Sequence, residues 1–215
     1  MIELKLFVFN DFQENSFIIS DETGECILID PGCNSQTEFL IIQDFISANN
    51  LNPVKIVNTH CHIDHILGIS YLKKHYNISF WAHHDEQMLL DTSSEYSMLL
   101  GINYKADITI DHYLIDKSYV EFGNSKLEII HTPGHSKGSV CFYSSEKSIV
   151  ISGDTLFSGS IGRTDLPGGD FNTLITSIKN RLLTLPENTV VYPGHGPATI
   201  IKQETDTNPF LVNFY

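Results

Sequence analysis

The sequence predicts an α/β protein, with α+β features, in which two β-sheets pack together and helices cover their outer faces, a four-layer αββα sandwich. Strand-like and helix-like segments alternate in both halves of the chain. Each half opens with strands joined by short turns, as at Asp21-Glu22-Thr23-Gly24. No linker or internal repeat divides the 215 residues, a length that can bury one sizeable core. We therefore expect a single domain over residues 1–215.

Hydrophobic periodicity and turn residues predict the individual elements. The predicted strands span 2–9, 15–20, 26–30, 54–58, 78–82, 119–122, 126–131, 139–144, 147–152 and 189–192. The predicted helices span 36–49, about 66–76, 84–91, about 170–184 and a short segment from about 199. Residues 92–118 follow neither period, and we expect them to be irregular.

Composition excludes several classes of function. The chain carries a net charge of −13, and it shows no cluster of Lys and Arg. Such a surface repels polyanions, so we expect no nucleic-acid partner. We expect a small-molecule substrate instead.

The N-terminus alternates like a strand and lacks the basic start and apolar core of a signal peptide. No apolar run has the length of a transmembrane helix, so we expect no membrane partner. The four cysteines form no CxxC pair, which favours reduced thiols. We expect a cytoplasmic protein.

The segment Thr59–His65 is the most informative stretch of the chain. His60, His62, Asp64 and His65 lie within six residues, between a predicted strand and a predicted helix. His60 and His62 share the parity of a strand and point the same way, whereas Asp64 is expected to cap the following helix. A single histidine is usually an ordinary core or surface residue. Four side chains of ligand type at this spacing favour metal binding, and their two clusters suggest two metals.

Three later segments share a second pattern, in which a strand ends and a Gly-containing turn carries a ligand. His135 follows Pro133-Gly134, Asp154 follows Gly153, and His195 follows Pro193-Gly194. Strand ends that converge on one rim would bring these groups to the first cluster. Asp30, at the end of an earlier strand, is either a turn residue or a carboxylate that orients a ligand histidine.

These motifs, in this order along the whole chain, resemble those of the metallo-β-lactamase superfamily, and within it the single-domain glyoxalase II-like hydrolases. The resemblance implies the metallo-β-lactamase fold. It also implies that His60, His62 and His135 hold one metal, that Asp64, His65 and His195 hold a second, and that Asp154 bridges both. For Asp64 the metal role competes with helix capping, and we favour the metal. Imidazole and carboxylate ligands suit Zn²⁺ best, with Fe or Mn as alternatives.

Two divalent metals held in this way can share a hydroxide, which attacks an acyl carbon without a Ser or Cys nucleophile. Asp64 and Asp154 are therefore the candidate catalytic carboxylates. Cys61 points away from the histidines of its motif, and we interpret it as a packing residue.

The remaining polar residues receive weaker assignments. His75, His83, His84 and His112 lack the strand-end context and are predicted to lie on the surface, whereas His131 could be buried or support the site. Ser136 and Ser139 are expected to support the site near His135. Arg163 and Lys137 are candidates for binding a substrate anion, although Arg163 could equally form a salt bridge with Asp165 or Asp170.

The substrate follows from the same resemblance. Glyoxalase II hydrolyses S-lactoylglutathione, a glutathione thioester, and Ser152-Gly153-Asp154-Thr155-Leu156-Phe157 resembles its segment around the bridging Asp. The segment 159–170 and the C-terminal segment 204–210 instead resemble those of shorter bacterial relatives, without the glutathione-binding Lys and the helical domain of the larger enzymes. We expect hydrolysis of a small thioester, with a glutathione thioester as one candidate.

An alternative comes from another class of enzyme. Persulfide dioxygenases share the fold and a Gly-Arg-Thr-Asp segment, matched here by Gly162-Arg163-Thr164-Asp165. They use one iron held by two His and one Asp, a ligand set suited to O₂ chemistry. The additional ligands Asp64, His65 and His195 favour the hydrolase, and an intact ligand set argues against a non-catalytic binding module. The absence of a secretion signal disfavours a β-lactamase.

Overall fold

The structure is a computed structural model that describes residues 2–102, 104 and 108–212. Within these ranges the chain forms fourteen strands and five α-helices. The chain clusters into two compact units. Unit 1 comprises Met1–Leu114 and Glu121–Lys126, and unit 2 comprises Ile115–Val120 and Leu127–Tyr215. The single domain over 1–215 stays a prediction.

Unit 1 is built on a mixed six-stranded sheet in the order β1-β2-β3-β4-β5-β6. Its strands are β1 (Glu3–Phe9), β2 (Glu14–Ser20), β3 (Glu25–Ile29), β4 (Asn52–Val57), β5 (Ser79–Ala82) and β6 (His112–Tyr113). The first three pair antiparallel, and β3 to β6 pair parallel. Every residue of β2 is buried, including the apolar run Phe17-Ile18-Ile19.

Three helices belong to unit 1: α1 (Gln36–Ala48), α2 (Ile69–Tyr76) and α3 (Gln87–Leu99). Helix α1 begins at a capping box, because the Ser35 hydroxyl accepts from the N–H of Glu38 and the Glu38 carboxylate accepts from the N–H of Ser35. Ile42 of α1 and Leu72 of α2 pack with strand residues such as Leu28 in one apolar cluster. This packing fixes the ends of β3 and β4, which carry the first functional residues.

Unit 2 contains most of a second mixed sheet, in the order β14-β13-β10-β9-β8-β7, and a separate two-stranded sheet, β11-β12. The strands are β7 (Tyr119–Phe122), β8 (Ser125–His131), β9 (Val140–Ser144), β10 (Ile149–Gly153), β11 (Leu156–Phe157), β12 (Ser160–Ile161), β13 (Val190–Pro193) and β14 (Thr199–Ile200). Strands β10 and β13 pair parallel, so their carboxyl ends lie at the same edge of the sheet.

Two helices complete unit 2: α4 (Phe171–Ser177), which continues as a π-helical turn over Ile178–Leu182, and α5 (Ile201–Thr207). Asp170 begins α4 by accepting from the N–H of Thr173. Leu174, Ile178 and Ile201 pack with Val150 and Val191 of the sheet in a second apolar cluster.

The predicted α/β class, with mixed sheets and helices, is confirmed, and the predicted strands agree with the observed ones to within about two residues. The prediction that residues 92–118 are irregular was wrong at its start, where α3 continues to Leu99, and near its end, where His112–Tyr113 form β6. Residues 103 and 105–107 of that segment lie outside the described residues. In the part of the chain that the structure describes, no helix has the length and apolar character needed to cross a membrane.

Candidate metal centre

The first ligand group lies in the loop that follows β4. Asn58 stabilises this loop from inside, since its side-chain amide donates to the backbone oxygens of His60, at 3.1 Å, and of His65, at 2.9 Å. Cys61, between the two histidines, donates its N–H to the buried carboxylate of Glu86 at 2.6 Å. Its thiol packs in the apolar cluster of unit 1, in agreement with the packing interpretation.

Hydrogen bonds fix which ring nitrogen of His60 is available. The Thr59 hydroxyl lies 2.5 Å from Oδ2 of Asp30 and 3.1 Å from Nδ1 of His60. The hydroxyl donates its one hydrogen to Asp30, so it accepts from Nδ1–H of His60. The lone pair of His60 is then on Nε2.

Asp30 orients His65 in the same way, with its Oδ2 3.3 Å from Nδ1 of His65. Its other oxygen accepts from the N–H of Thr59 at 2.6 Å. Asp30 has a φ of 48°, an uncommon conformation for a residue other than glycine, and the bonds to Thr59 and His65 hold it there. A carboxylate that fixes the ring of a histidine ligand is a frequent companion of bound metals in proteins.

Asp64 occupies a different local position from the predicted one. It lies inside a 3-10 turn, Ile63–His65, and α2 begins only after Gly68, so the helix-capping prediction was wrong. Its Oδ2 instead lies 3.5 Å from Nε2 of His65, which is fully buried. The carboxylate of Asp64 is thus directed at the nitrogen that the Asp30 contact leaves available.

Sequence reasoning missed Glu14, at the start of β2. Its side chain is fully buried, and its Oε1 lies 3.8 Å from Nδ1 of His65. Burial raises the pKa of the Glu14 carboxyl well above its ordinary value, against the opposing effect of His65. A glutamate at the start of an otherwise buried strand was the available signal.

The second ligand group lies entirely in unit 2. His135 is in the loop after β8, and its Nδ1 lies 2.8 Å from the backbone oxygen of Arg163. A carbonyl only accepts, so Nδ1 carries the proton and Nε2 has the lone pair. That Nε2 lies 3.6 Å from Oδ2 of Asp154, at the end of β10.

His195 completes this group from the end of β13. Its Nε2 lies 3.7 Å from the same Oδ2 of Asp154. The parallel pairing of β10 with β13 and the bond from Gly194 N–H to Gly153 O, at 2.8 Å, bring the two strand ends together. One carboxylate oxygen thus faces two imidazole nitrogens.

These contacts fit metal binding. Two ligands held about 2.1 Å from one ion at a tetrahedral angle are roughly 3.4 Å apart. The contacts of Asp154 with His135 and His195, and of Asp64 with His65, range from 3.5 to 3.7 Å. In His60, His65 and His135, another group contacts Nδ1, which leaves Nε2 available for a metal. The residues present are therefore suited to divalent metals.

The residues predicted to bind a substrate anion are exposed, whereas those predicted to support the site are buried. The guanidinium of Arg163 is 61% exposed and makes two hydrogen bonds of 2.7 Å to Asp165, one of the two alternatives left open by the sequence. Lys137 is exposed, and its backbone oxygen contacts His131. The Ser139 hydroxyl lies 2.6 Å from that of Ser136, beside His135.

Of the four histidines predicted to lie on the surface, three are exposed and one is buried. His75, His84 and His112 are exposed, as predicted. His83 is only 7% exposed, so its assignment was wrong. It lies just before a 3-10 turn and accepts from the N–H of Asp85, a capping role that the sequence pattern did not reveal.

A mixed α/β fold with two groups of imidazole and carboxylate side chains that could hold metals at strand ends is typical of metal-dependent enzymes. The chain belongs to the metallo-β-lactamase superfamily, whose family model matches residues 9–195. This membership places it among the metallo-hydrolases and confirms the predicted family.

Two relatives are similar over nearly their whole length. The probable metallo-hydrolase YqgX of Bacillus subtilis is 43% identical over 200 residues, 92% of each chain. The hydroxyacylglutathione hydrolase GloC of Haemophilus influenzae is 36% identical over 207 residues, 93% of each chain.

Solved structures confirm the predicted metallo-β-lactamase fold. The BLEG-1 B3 metallo-β-lactamase superposes with a TM-score of 0.89 at 37% identity, covering 98% of this chain and 100% of that one. TTHA1623 in a di-iron-bound form superposes with a TM-score of 0.85 at 36% identity, covering 96% of this chain and 100% of that one.

Proposed function

We propose that the chain is a binuclear metal-dependent hydrolase that cleaves a small thioester. The observation that carries the proposal is the position of Asp154, whose Oδ2 faces Nε2 of both His135 and His195 at 3.6 and 3.7 Å. These contacts would also suit one metal, but Oδ2 of Asp64 faces Nε2 of His65 at 3.5 Å as well, and this additional group exceeds what one four-coordinate ion needs, which favours two metals. The similarity to GloC, a hydroxyacylglutathione hydrolase, supports a thioester as the substrate.

In this proposal seven side chains of the chain would hold two metals. His60, His62 and His135 would hold one metal, Asp64, His65 and His195 would hold the other, and Asp154 would contribute to both. Zinc is the leading candidate on ligand chemistry, and the similarity to a protein solved in a di-iron-bound form keeps iron as an alternative. When bound, the metals supply a water activated near neutral pH and a Lewis acid that polarises the acyl carbonyl.

Residues of the chain would orient the histidines and accept the proton. Asp30, the Thr59 hydroxyl and the Arg163 carbonyl hold the protons on Nδ1 of three histidines, so that each ring keeps its orientation through turnover. The carboxylates of Asp64 and Asp154 are each 13% exposed, whereas His65 and His135 are at most 2% exposed. The carboxylates are more accessible than these two histidines, and they are our candidates to accept a proton from an attacking water.

The proposed reaction is balanced as a simple hydrolysis. The oxygen of water bonds to the acyl carbon and the C–S bond breaks. The proton taken up by a carboxylate passes to the departing sulfur, and the products are a carboxylic acid and a thiol. No oxidant is required, which separates the proposal from persulfide oxidation.

The test combines metal analysis with two assays on one preparation. We expect about two metals per chain, with hydrolysis of S-lactoylglutathione and no O₂ uptake. A preparation with one iron per chain, together with persulfide-dependent O₂ consumption, would overturn the proposal in favour of a dioxygenase. An oxygen ester of the same acyl group tests the thioester preference, because equal rates on both substrates would contradict it.

A further inference from the structure

The turn between β1 and β2 lies directly behind the Asp64–His65 ligand pair. Asn10, which has a φ of 52°, donates from its side-chain amide to the backbone oxygen of Asp64 at 2.9 Å and to that of Gly32 at 3.0 Å. This turn therefore holds the backbone of a candidate metal ligand. Nothing in its sequence is itself a ligand of the proposed centre.

Glu14, at the end of the same turn, approaches the pair through the imidazole of His65. One carboxylate oxygen, Oε2, accepts from the Ser16 hydroxyl at 2.7 Å. The other, Oε1, has no hydrogen-bond partner among the described residues and lies 3.8 Å from Nδ1 of His65. Asp30 approaches the same nitrogen at 3.3 Å. Two carboxylates thus flank one ring nitrogen.

The environment of Glu14 is packed without spare space. The Ser16 hydroxyl that binds Glu14 also accepts from the N–H of Gly32 at 2.9 Å. A Cβ on Gly32 would collide with Oε2 of Glu14 and with the backbone oxygen of Asp64. A change at Glu14 is therefore transmitted both to His65 and to the backbone of Asp64.

A buried carboxyl group with one oxygen that makes no hydrogen bond is destabilising, because burying an unpaired polar atom costs free energy. A structural role alone would be served equally well by a neutral residue that accepts from Ser16. The geometry points to a different role. We infer that Glu14 is a positioning residue that acts through His65 and selectively strengthens the binding of the metal held by the Asp64–His65 pair. The inference rests on the binuclear centre proposed above.

Selectivity follows from the contacts of the other histidines. Nδ1 of His60 is held by Thr59, and Nδ1 of His135 is held by the carbonyl of Arg163. Of the three histidines His60, His65 and His135, Glu14 approaches the Nδ1 atom of His65 only. Replacing its Oε1 by an amide NH2 group should therefore weaken the binding of one metal and spare the other.

The test substitution is Glu14→Gln, which keeps the size of the side chain and an oxygen for Ser16. Zn²⁺ affinities are measured by competition with a chromophoric chelator. We expect one of two metals to bind about 10- to 100-fold more weakly, the range found when groups that orient metal ligands are removed, while the other changes less than about twofold. Affinities equal to those of the unsubstituted protein, or equal weakening of both metals, would overturn the inference.

The matched control is Glu204→Gln in α5. Glu204 is also fully buried and accepts hydrogen bonds from Thr199, Gly159 and Asn208. Its substitution makes the same chemical change at a buried glutamate outside the ligand groups, so we expect both metals to bind normally. Selective loss of one metal in this variant as well would contradict a specific role for Glu14.

A second measurement separates the inference from the proposed function. In metal-free protein the Nδ1–H proton of His65, assigned by its loss in His65→Gln, should resonate far downfield and move upfield in Glu14→Gln. An unchanged signal would refute the positioning role even if metals bind. An unsubstituted protein that holds fewer than two metals would refute the binuclear hydrolase, while the shift of this proton would still establish the action of Glu14 on His65.

Discussion

Nδ1 of His135 lies 2.8 Å from the backbone carbonyl oxygen of Arg163. Because this acceptor is a peptide group, the orientation of the imidazole depends on the path of the backbone and not on the side chain at position 163. Gly162 makes that path possible, since a Cβ there would collide with the backbone oxygen of Asp154. The segment after β12 is therefore part of the proposed centre, although none of its side chains is a ligand.

The shared oxygen of Asp154 leads to the first prediction. Asp154→Asn keeps the size of the side chain but replaces an anionic oxygen that faces two imidazoles. We expect hydrolysis to fall by more than about 100-fold, above the loss caused by removing groups that only orient ligands, and at least one metal to be lost. Elemental analysis and turnover of S-lactoylglutathione measure both effects, and circular dichroism checks that the fold is retained.

His75→Ala is the control for this substitution series. His75 is exposed and stacks on Tyr71 in α2, outside both ligand groups. We expect it to keep full metal content and turnover, in contrast to His135→Ala. Retained turnover in His135→Ala or Asp154→Asn would contradict the ligand assignment.

The second prediction compares two glycines of one segment. Gly162→Ala introduces the clash with the Asp154 backbone, so we expect both lower stability, by about 2 kcal/mol or more as for overpacked sites, and loss of metal. At Gly159 a Cβ would have open space, but φ is 69°. Gly159→Ala should therefore cost only about 1 kcal/mol and leave the metals bound. Urea unfolding and metal analysis distinguish them, and equal behaviour of the two variants would refute the packing argument.

Much of this candidate site could be predicted from sequence, because residues that directly follow strands lie at the edge of a sheet. A ligand that follows a buried strand and a glycine must lie at a sheet edge, and β10 and β13 are parallel neighbours whose carboxyl ends share one edge. His195 and Asp154 are distant in sequence but adjacent for this reason. The spacing of His60 and His65 likewise marked one loop.

What could not be predicted depends on contacts between segments distant in sequence. Glu14 lies far from His65 in the sequence, and no local pattern connects them. Glu86 binds the N–H of Cys61 for the same kind of reason. The capping role given to Asp64 was wrong because the chain forms a 3-10 turn first and begins α2 later, at Ile69.

The third prediction concerns the exposed pair formed by Arg163 and Asp165. The Arg163 guanidinium lowers the pKa of the Asp165 carboxyl to about 2. A lowered pKa means that the pair stabilises the fold above the ordinary pKa of Asp and that this effect disappears as the pH falls towards 2. Because both side chains are exposed, screening by water keeps the effect small.

Arg163→Gln should therefore raise the pKa of Asp165 towards its ordinary value, which an NMR titration of the carboxyl carbon measures. The metals should stay bound, because His135 contacts the backbone of Arg163 and not its side chain. Arg163→Lys is the control that keeps the charge, and it should give an intermediate pKa. Loss of metal in Arg163→Gln would show that the side chain supports the centre after all.

The fourth prediction concerns the four cysteines, all of which are reduced and buried. Burial raises the pKa of the Cys26 thiol to about 12, and it raises those of Cys33 and Cys61 well above the ordinary value. The reactive form is the thiolate, so both low accessibility and low thiolate content protect these groups in the native protein. At pH 8 we expect a thiol reagent to label the native chain only as fast as it opens, and to label four thiols rapidly in urea.

The raised pKa values of these thiols make the free energy of unfolding depend on pH in one direction. A thiol whose pKa is raised by folding contributes stability below the pKa of the unfolded chain, about 8.5, and this contribution is lost as the pH rises towards 12. The free energy of unfolding should therefore decrease above pH 8.5, and labelling through opening should accelerate accordingly. Ser145→Cys, which places a thiol at an exposed turn position, provides a control that should react at once with the native protein. If an original cysteine were labelled as quickly as this one, the buried, protonated state of the thiols would be disproved.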